Sequence, residues 1–241
     1  MAETRWFMLE NALDEGDIVK ECGGAYYRHI PGKKNWVYAQ SFEARYTDAG
    51  AEYEGAYKEI TADEAMEKIA GQDALFDGLV EKASRIAAKA HEGMVDKGGA
   101  PYITHPGWVA GRVEEKEAKI LAWLHDVLED TDVTEKNLRA AGFPERILIR
   151  LGRLTRKDGQ KYSEYIALAS EDRFTRAVKL ADLENNRDIS RIPAPKAKDL
   201  LRLEKYGYAS AYLLLPPKAS KGDLGQEILA RIDELEKQLD N

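Results

Sequence analysis

The chain reads ILAWLHDVLEDT over residues 120–131, and this stretch decides the fold. Its apolar residues recur at three- and four-residue steps, which predicts a helix over residues 117–130 with one face in a core. The adjacent pair His125-Asp126 follows the apolar run, and Glu129-Asp130 come one turn later. Because residues three and four apart share a helix face, Glu129 lies on the face of both His125 and Asp126.

Two further segments carry residues that could bind a metal. His105 stands in PYITHP over residues 101–106, and Asp182 ends VKLAD over residues 178–182. The chain has 4 histidines, and two of them belong to this set. Two imidazoles and two carboxylates suit a divalent ion such as Mn²⁺, Fe²⁺ or Mg²⁺. A lone His-Asp pair is more often a local hydrogen bond, but the ordered set of segments predicts a metal site.

The local sequence also constrains the backbone at these residues. Adjacent side chains on a helix point about 100° apart, so His125 and Asp126 can reach one ion only near a helix end. A helix end is expected near Thr131. Pro106 favours an extended backbone at His105 and predicts that the next helix begins at Pro106.

Composition excludes several classes of protein. One cysteine cannot form an internal disulfide, and a net charge of −7 disfavours binding to a nucleic-acid polymer. No apolar window of about 18 residues predicts a membrane helix, and the N-terminus does not resemble a secretory signal. We therefore expect a cytoplasmic protein without a nucleic-acid or membrane partner. The negative charge is compatible with a small phosphorylated substrate, because a bound cation and a few basic side chains can make a local positive pocket. The oligomeric state stays open.

The chain divides into three predicted parts. Residues 1–70 hold aromatic and β-branched stretches separated by turn formers, which predicts a small antiparallel β module. Thr61 and Glu64 have the capping-box spacing, which predicts a short helix over 62–70 that ends near Gly71. Phe42–Tyr46 is one predicted strand, and His29 is expected to be exposed in this module. Residues 73–215 are helical, with Leu75, Leu79, Ala83, Ile86 and Ala90 as the first apolar stripe. Residues 223–241 form a last amphipathic helix. Further helices are predicted over 107–114, 134–141, 144–154, 162–170, 172–189 and 196–214.

The motifs together resemble a known family. The ordered segments from Ala90 to Pro106, from Leu124 to Thr131 and from Val178 to Asp182 are similar to the HD-domain hydrolase of the Rel/SpoT enzymes and to the stand-alone small alarmone hydrolases. The resemblance covers about residues 73–215. It implies a mainly α fold, an HD-type helical bundle here preceded by the β module. It also implies a bound Mn²⁺ that serves hydrolysis of the 3′-pyrophosphate of (p)ppGpp.

The resemblance assigns roles residue by residue. It implies that His105, His125, Asp126 and Asp182 are the metal ligands, and that Glu129 and Asp130 act on the water and the leaving group. The alternative for Glu129-Asp130 is an acidic helix end at the surface, which the helix dipole disfavours.

Four further residues are candidates for substrate binding. Lys97 on a glycine-rich loop and Lys179 could contact phosphate, although each could also be an ordinary solvated cation. Asn186 matches a family asparagine that contacts the nucleotide sugar. Tyr102 packs against the site or the base, or is a buried tyrosine whose hydroxyl is satisfied.

The chain departs from the family at two places. Asp96 stands where the family usually has an arginine that recognises the nucleotide, and Asn185 stands where it usually has a histidine. The reaction type is therefore better supported than the substrate. Two alternatives stay open: a phosphohydrolase for another nucleotide, and a non-catalytic module that senses a nucleotide or binds a partner.

Overall fold

The computed structural model describes residues 4–10, 14, 16–31, 36–39, 56–192 and 194–240. Its N-terminal part is a five-stranded sheet in the order β4-β3-β2-β1-β5, in which each neighbouring pair is antiparallel. The strands are β1 (Arg5–Leu9), β2 (Ile18–Cys22), β3 (Ala25–Arg28), β4 (Val37–Tyr38) and β5 (Tyr57–Ile60). Gly23 and Gly24 both have positive φ, as a tight β2–β3 hairpin turn requires. The predicted antiparallel module is confirmed, while the predicted strand at 42–46 lies outside the described residues.

The sheet packs against the first helix, and this contact buries His29. Ile18 and Ile60 form a small apolar cluster with Ala65 of that helix. The His29 imidazole is only 6% exposed, because the ring of Trp36 lies over it and Asp73 of the first helix lies 4.0 Å from its Nε2. The expectation of an exposed His29 is therefore wrong. His29 follows β3 directly, and the contacts that bury it come from other parts of the chain, which local sequence does not reveal.

Helix α1 (Ala62–Ala90) is one continuous helix of 29 residues. It begins at a capping box in which Thr61 and Glu64 bond each other's backbone N–H groups, as the sequence predicts. The predicted end near Gly71 is wrong. A glycine inside a helix costs only about 1 kcal/mol, and the buried stripe Ala65, Phe76, Leu79, Ala83 and Ala87 continues past it. Leu75, which was expected on that stripe, is 50% exposed.

The remaining helices form a bundle around α3. They are α2 (Thr104–Arg112), α3 (Lys116–Leu124), α4 (Val127–Asp130), α5 (Glu135–Ala140), α6 (Glu145–Leu154), α7 (Tyr162–Ser170), α8 (Arg173–Asn186), α9 (Ala197–Leu214), α10 (Pro217–Ser220) and α11 (Asp223–Asp240). The expected 117–130 helix is two helices, and the expected 172–189 helix ends at Asn186 before a short 3-10 turn at Ile189–Arg191. Within the described ranges, none of the helices is long and apolar enough to cross a membrane.

Two apolar cores meet on α8. The larger core joins α1, α2, α3, α6 and α8 through residues such as Leu121, Leu151 and Val178. The second core joins α7, α8, α9 and α11 through residues such as Leu183 and Ile232. Helix α8 is thus held on two sides, which fixes the position of any side chain that it presents to α2 and α3. The mainly α bundle predicted for this part of the chain is confirmed.

A buried chain of charges joins the sheet to the bundle. Asp17 lies 3.0 Å from Arg146, which contacts Glu117, and Glu117 lies 3.1 Å from Arg150. Arg150 lies in turn 3.1 Å from Asp172 at the start of α8. Each charge in this chain has a partner of opposite sign, as burial of ions demands.

Candidate metal centre

His125 and Asp126 lie at a break between two helices. Helix α3 ends at Leu124, α4 begins at Val127, and the backbone of Asp126 turns to φ −94° and ψ −10°. This break brings the two adjacent side chains together, so that His125 Nε2 lies 3.2 Å from Asp126 Oδ2. The sequence predicts a helix end near this pair but places it a few residues too late, near Thr131.

His105 reaches the same point from α2. The helix begins at Thr104, so His105 is helical and the predicted extended backbone at this residue is wrong. Pro106 is tolerated because the first N–H groups of a helix have no intrahelical partner. A Cβ added at Gly107 would lie 3.2 Å from the Trp123 ring, so α2 packs closely on α3 at this glycine. The Nε2 atoms of His105 and His125 are consequently 3.2 Å apart.

Asp182 completes the cluster from α8. Its Oδ1 lies 3.2 Å from His105 Nε2 and 3.8 Å from His125 Nε2. His105, His125 and Asp182 are all buried, and their potential ligand atoms lie within 4.8 Å of one another. Asp126 Oδ2 stands 3.4 Å from His105 Nε2, so its carboxylate borders the same space.

The hydrogen bonds of the two imidazoles fit a cation between them. His105 Nδ1 lies 2.7 Å from Asn185 Oδ1, and His125 Nδ1 lies 2.8 Å from the backbone oxygen of Ala122. Each Nδ1 therefore carries the hydrogen and donates it, which leaves both Nε2 lone pairs facing the shared space. The two Nε2 atoms are 3.2 Å apart, so their lone pairs repel each other unless a proton or a metal ion lies between them. The residues present thus fit a divalent metal.

The charges of the cluster act in the same direction. Burial alone would lower the pKa of His125, but the carboxylates of Asp126 and Asp182 outweigh burial and raise that pKa to about 9. The pKa of Asp182 lies well below its ordinary value, against the effect of burial, because Lys179 and both histidines favour its charged form. The carboxylates of Asp126 and Asp182 therefore favour a positive charge at His125, as they would favour a bound cation.

Lys179 is part of this cluster. Its Nζ lies 2.7 Å from Asp182 Oδ2 and sits over the ring of Tyr165. The side chain is buried, and Lys179 does not line the adjoining cavity. The Lys179 ammonium contacts Asp182, which is a candidate metal ligand. The assignment of Lys179 to substrate phosphate stays a prediction.

Tyr102 and the acidic pair border the site on the other side. The Tyr102 hydroxyl donates to Asp126 Oδ2 at 2.7 Å and lies 3.2 Å from Asp130 Oδ2, while its ring stacks on His91. Glu129 accepts a hydrogen bond from the backbone N–H of Arg156. Partial burial raises the pKa of Glu129, and the neighbouring charges of Asp126 and Asp130 add to the rise. A carboxylate with a raised pKa is suited to take up a proton.

A cavity of about 320 Å³ opens beside His105. Its lining includes Lys97, Tyr102 and Asn186, which the sequence predicted, and also Arg202 and Tyr206 of α9, which it did not. Asn186 donates to Asp182 Oδ1 at 2.5 Å and therefore stands between the metal cluster and the cavity. Two cations and an aromatic ring on the walls suit a phosphorylated ligand with a flat ring.

Asp96 is turned into its own loop. Its Oδ1 accepts hydrogen bonds from the N–H groups of Gly98 and Ala100, both at 2.9 Å. This geometry satisfies the backbone of the glycine-rich loop that carries Lys97. Asp96 replaces a family arginine with a negative charge, and these N–H groups offset part of the repulsion that this charge would exert on a polyphosphate.

Sequence reasoning missed two groups of residues. Asn185 accepts a hydrogen bond from His105 Nδ1 and so orients that ring. In the sequence Asn185 stands out only as a departure from the family, because nothing in the local sequence indicates this contact. Arg202 and Tyr206 share one face of α9 at a four-residue step, but only the packing of α9 beside α8 shows that this face borders the cavity.

The chain is similar in sequence to proteins of known function. No family model matches the chain. A guanosine-3′,5′-bis(diphosphate) 3′-pyrophosphohydrolase of Aquifex aeolicus is 31% identical over 140 residues, which cover 53% of this chain and 20% of that protein. The protein of the same name from Haemophilus influenzae is 36% identical over 115 residues, which cover 42% of this chain and 17% of the relative. The chain thus spans about a fifth of the length of these relatives.

A solved structure is also similar. It is described as a metazoan ortholog of SpoT that hydrolyzes ppGpp; it aligns with a TM-score of 0.48 at 20% identity, over 66% of this chain and 94% of that one. A likeness at this level carries no argument about function. The sequence relatives suffice for a narrower conclusion: this chain contains a region that resembles the HD-domain hydrolases of the Rel/SpoT class.

Proposed function

We propose that the protein is a divalent-metal-dependent phosphohydrolase that removes the 3′-pyrophosphate of (p)ppGpp and yields GDP or GTP. The observation that carries this proposal is the convergence of His105, His125 and Asp182 within 4.8 Å, with Asp126 at the edge, beside a cavity whose lining includes Lys97 and Arg202. The similarity to the pyrophosphohydrolases supports the choice of substrate.

The four converging residues would hold the metal. Mn²⁺ is the first choice, and Fe²⁺ or Mg²⁺ also suit two imidazoles and two carboxylates. A metal in this site would polarise a phosphoryl group and lower the pKa of water. Asn185 and the Ala122 oxygen hold the two imidazoles with Nε2 directed at the shared space, so the ligands are oriented before a metal binds.

Glu129 and Asp130 would handle protons. Glu129 is held by the Arg156 N–H and has a raised pKa. Its carboxylate can therefore accept a proton from the water molecule that attacks phosphorus. Asp130 lies within hydrogen-bond distance of the Tyr102 hydroxyl, which also donates to Asp126. On this proposal Asp130 acts on the departing 3′-oxygen, and its contact with the Tyr102 hydroxyl beside Asp126 supports that role.

The cavity would hold the nucleotide. Lys97 and Arg202 supply positive charge for phosphate oxygens, and Tyr206 offers a ring on which a base can stack. Lys97 lies 3.8 Å from Asp199, a distance that leaves it available to move toward a phosphate. Asn186 is the candidate for a hydrogen bond to the sugar.

A second candidate function is hydrolysis of another nucleotide. The cavity lining contains Asp96, Asp188 and Asp199 beside its two cations. Three carboxylates make the wall less positive than a tetraphosphate or pentaphosphate would favour, so a substrate with fewer phosphates would meet less repulsion there.

The test is release of pyrophosphate by the purified protein with Mn²⁺, from ppGpp and from a panel of ordinary nucleotides. Asp126→Ala should abolish release, whereas Asp132→Ala, which removes an exposed carboxylate six residues away, should not. Release from ppGpp alone supports the proposal. Release only from other nucleotides replaces the substrate, and no release from any of them would favour a non-catalytic sensor.

A further inference from the structure

The candidate base Glu129 is held by a segment outside its own helix. The connection between α6 and α7, residues 155–161, passes beside α4, and the backbone N–H of Arg156 in this connection donates to Glu129 Oε1. The position of this N–H group is set by the backbone of the connection, not by a side-chain rotamer. The position of Glu129 therefore depends on what fixes residues 155–161.

The connection is closed on itself by its own polar groups. The Arg156 guanidinium donates to the backbone oxygen of Gln160 from Nε at 2.8 Å and from Nη2 at 2.6 Å. The Gln160 side chain accepts from the Lys157 N–H at 3.1 Å, and the Gln160 N–H donates to the Lys157 oxygen at 3.0 Å. Gly159 has a φ of +74°, which a glycine adopts without strain. The segment is thus a compact turn closed by four hydrogen bonds between Arg156, Lys157 and Gln160.

One carboxylate from the last helix anchors both ends of this turn. Glu236 of α11 lies with Oε1 2.9 Å from Arg156 Nη2, and its Oε2 accepts the backbone N–H of Tyr162 at 2.9 Å. The side chain of Glu236 is 16% exposed, and Lys205 Nζ lies 3.8 Å away. Lys161 makes no side-chain cap at the start of α7, so Glu236 satisfies an N–H group in the first turn of that helix.

We propose that Glu236 is a positioning residue for Glu129, acting through Arg156. This inference rests on the proposed function, since it gives Glu129 a catalytic role. Glu236 fixes the Arg156 side chain, the closed turn transmits that position to the Arg156 N–H, and the N–H fixes the carboxylate of Glu129. A general base must be held to a fraction of an ångström, and a misplacement of about 1 Å can cost about 100-fold in rate.

The role of Glu236 is separable from the packing of α11. The helix is held by Ile232 and Leu235, which are fully buried. Glu234 lies on the same helix and pairs with Arg231 at 2.9 Å on an exposed surface. Glu234 is therefore a matched control, because its loss removes an acidic residue from α11 without touching the turn at 155–161.

The test compares Glu236→Gln with Glu234→Gln in the full chain. Glutamine keeps the shape of the side chain and can still accept the Tyr162 N–H, but it loses the charge that attracts Arg156. We expect kcat on ppGpp to fall about tenfold for Glu236→Gln, with KM and bound metal unchanged. The Arg156 amide should exchange its hydrogen several-fold faster than in the wild type. Glu234→Gln should change none of these quantities.

A second variant keeps the test decisive if Glu236→Gln folds poorly. Arg156→Met retains the backbone N–H and removes the guanidinium, so it should lower kcat by a similar factor. The double variant should then show no further loss, because the two side chains act as one unit. Additive losses would overturn the proposal, as would a wild-type kcat in both single variants.

Failure of this inference is distinguishable from failure of the proposed function. If the wild type turns over no nucleotide, the proposed function fails, and the exchange of the Arg156 amide alone decides whether Glu236 fixes the turn. An exchange rate that is equal in the wild type and in Glu236→Gln would overturn the inference whatever the activity.

Discussion

Metal binding by this protein should release a proton from His125. The pKa of His125 is about 9, raised by Asp126 and Asp182 against the effect of burial. Because His125 Nδ1 donates to the Ala122 oxygen, the titrating proton occupies Nε2, the atom that faces the other ligands. A metal must displace this proton before it can bind the imidazole.

The magnitude follows from the distance between the working pH and this pKa. A pH of about 7 is two units below the pKa of His125, so about 1% of the His125 side chains are neutral at that pH. Metal affinity should therefore be about 100-fold weaker at pH 7 than above pH 9, a difference of about 2.7 kcal/mol. Between pH 6 and 8 the affinity should rise about tenfold for each pH unit.

Titration calorimetry with Mg²⁺ or Mn²⁺ measures both quantities. The Kd gives the pH dependence, and the heat in two buffers of different ionisation enthalpy gives the number of protons released, which should be about one at pH 7. His91→Gln is the control, since His91 is not among the ligand candidates and burial lowers its pKa. An affinity that does not change from pH 6 to 8, with no proton released, would refute the reasoning.

The same group makes the metal-free protein sensitive to pH. The folded-state pKa of His125 lies above its ordinary value of 6.5, so its stabilising effect is fully present below pH 6.5. That effect is lost as the pH rises through about 9. Thermal unfolding without metal should therefore occur at a lower temperature at pH 9 than at pH 6.5, and saturating metal should reduce the difference.

Four further predictions concern single residues. Asn185→Ala removes the acceptor that orients His105 and should weaken metal binding about 10- to 100-fold in the same calorimetric assay. Glu117→Gln removes one of the two carboxylates that pair with each of the buried arginines Arg146 and Arg150, and should cost up to about 3–5 kcal/mol in urea unfolding; a cost below about 1 kcal/mol would show that the remaining carboxylates or water compensate these charges. A Cβ at Gly225 would lie 2.0 Å from a backbone oxygen, so Gly225→Ala should destabilise the protein by about 1–3 kcal/mol or more, whereas Gly71→Ala in open space on α1 should stabilise it by about 0.5–1 kcal/mol.

The sequence predicted the parts of the fold that follow from local pattern. Apolar periodicity located the bundle helices, and the capping box at Thr61 located the start of α1. The helix end required by His125-Asp126 was predicted too late, near Thr131, because Leu124, Val127 and Leu128 continue the apolar spacing through the break between α3 and α4. Gly71 was read as a helix end, yet the packing of α1 outweighs a propensity cost of about 1 kcal/mol.

The candidate site was predictable as a set of residue types and not as a geometry. The four converging residues were identified from their motifs, and their meeting at one point depends on the close approach of α2 to α3 at Gly107. The groups that orient them could not be found from spacing. Asn185 stands 80 positions from His105, and Glu236 stands 74 positions from the Tyr162 N–H that it accepts. Such pairs are set by how helices pack, which a single sequence does not encode in any short pattern.

The most direct test of the central claim measures bound metal and ppGpp turnover together, in the wild type and in Glu129→Gln. We predict that the wild type binds a divalent metal and releases GDP and pyrophosphate from ppGpp. The variant should keep the metal and lose activity by about 100-fold or more, since it retains every ligand and lacks the base. A wild type that releases no pyrophosphate, or a variant that turns over ppGpp at the wild-type rate, would contradict the account.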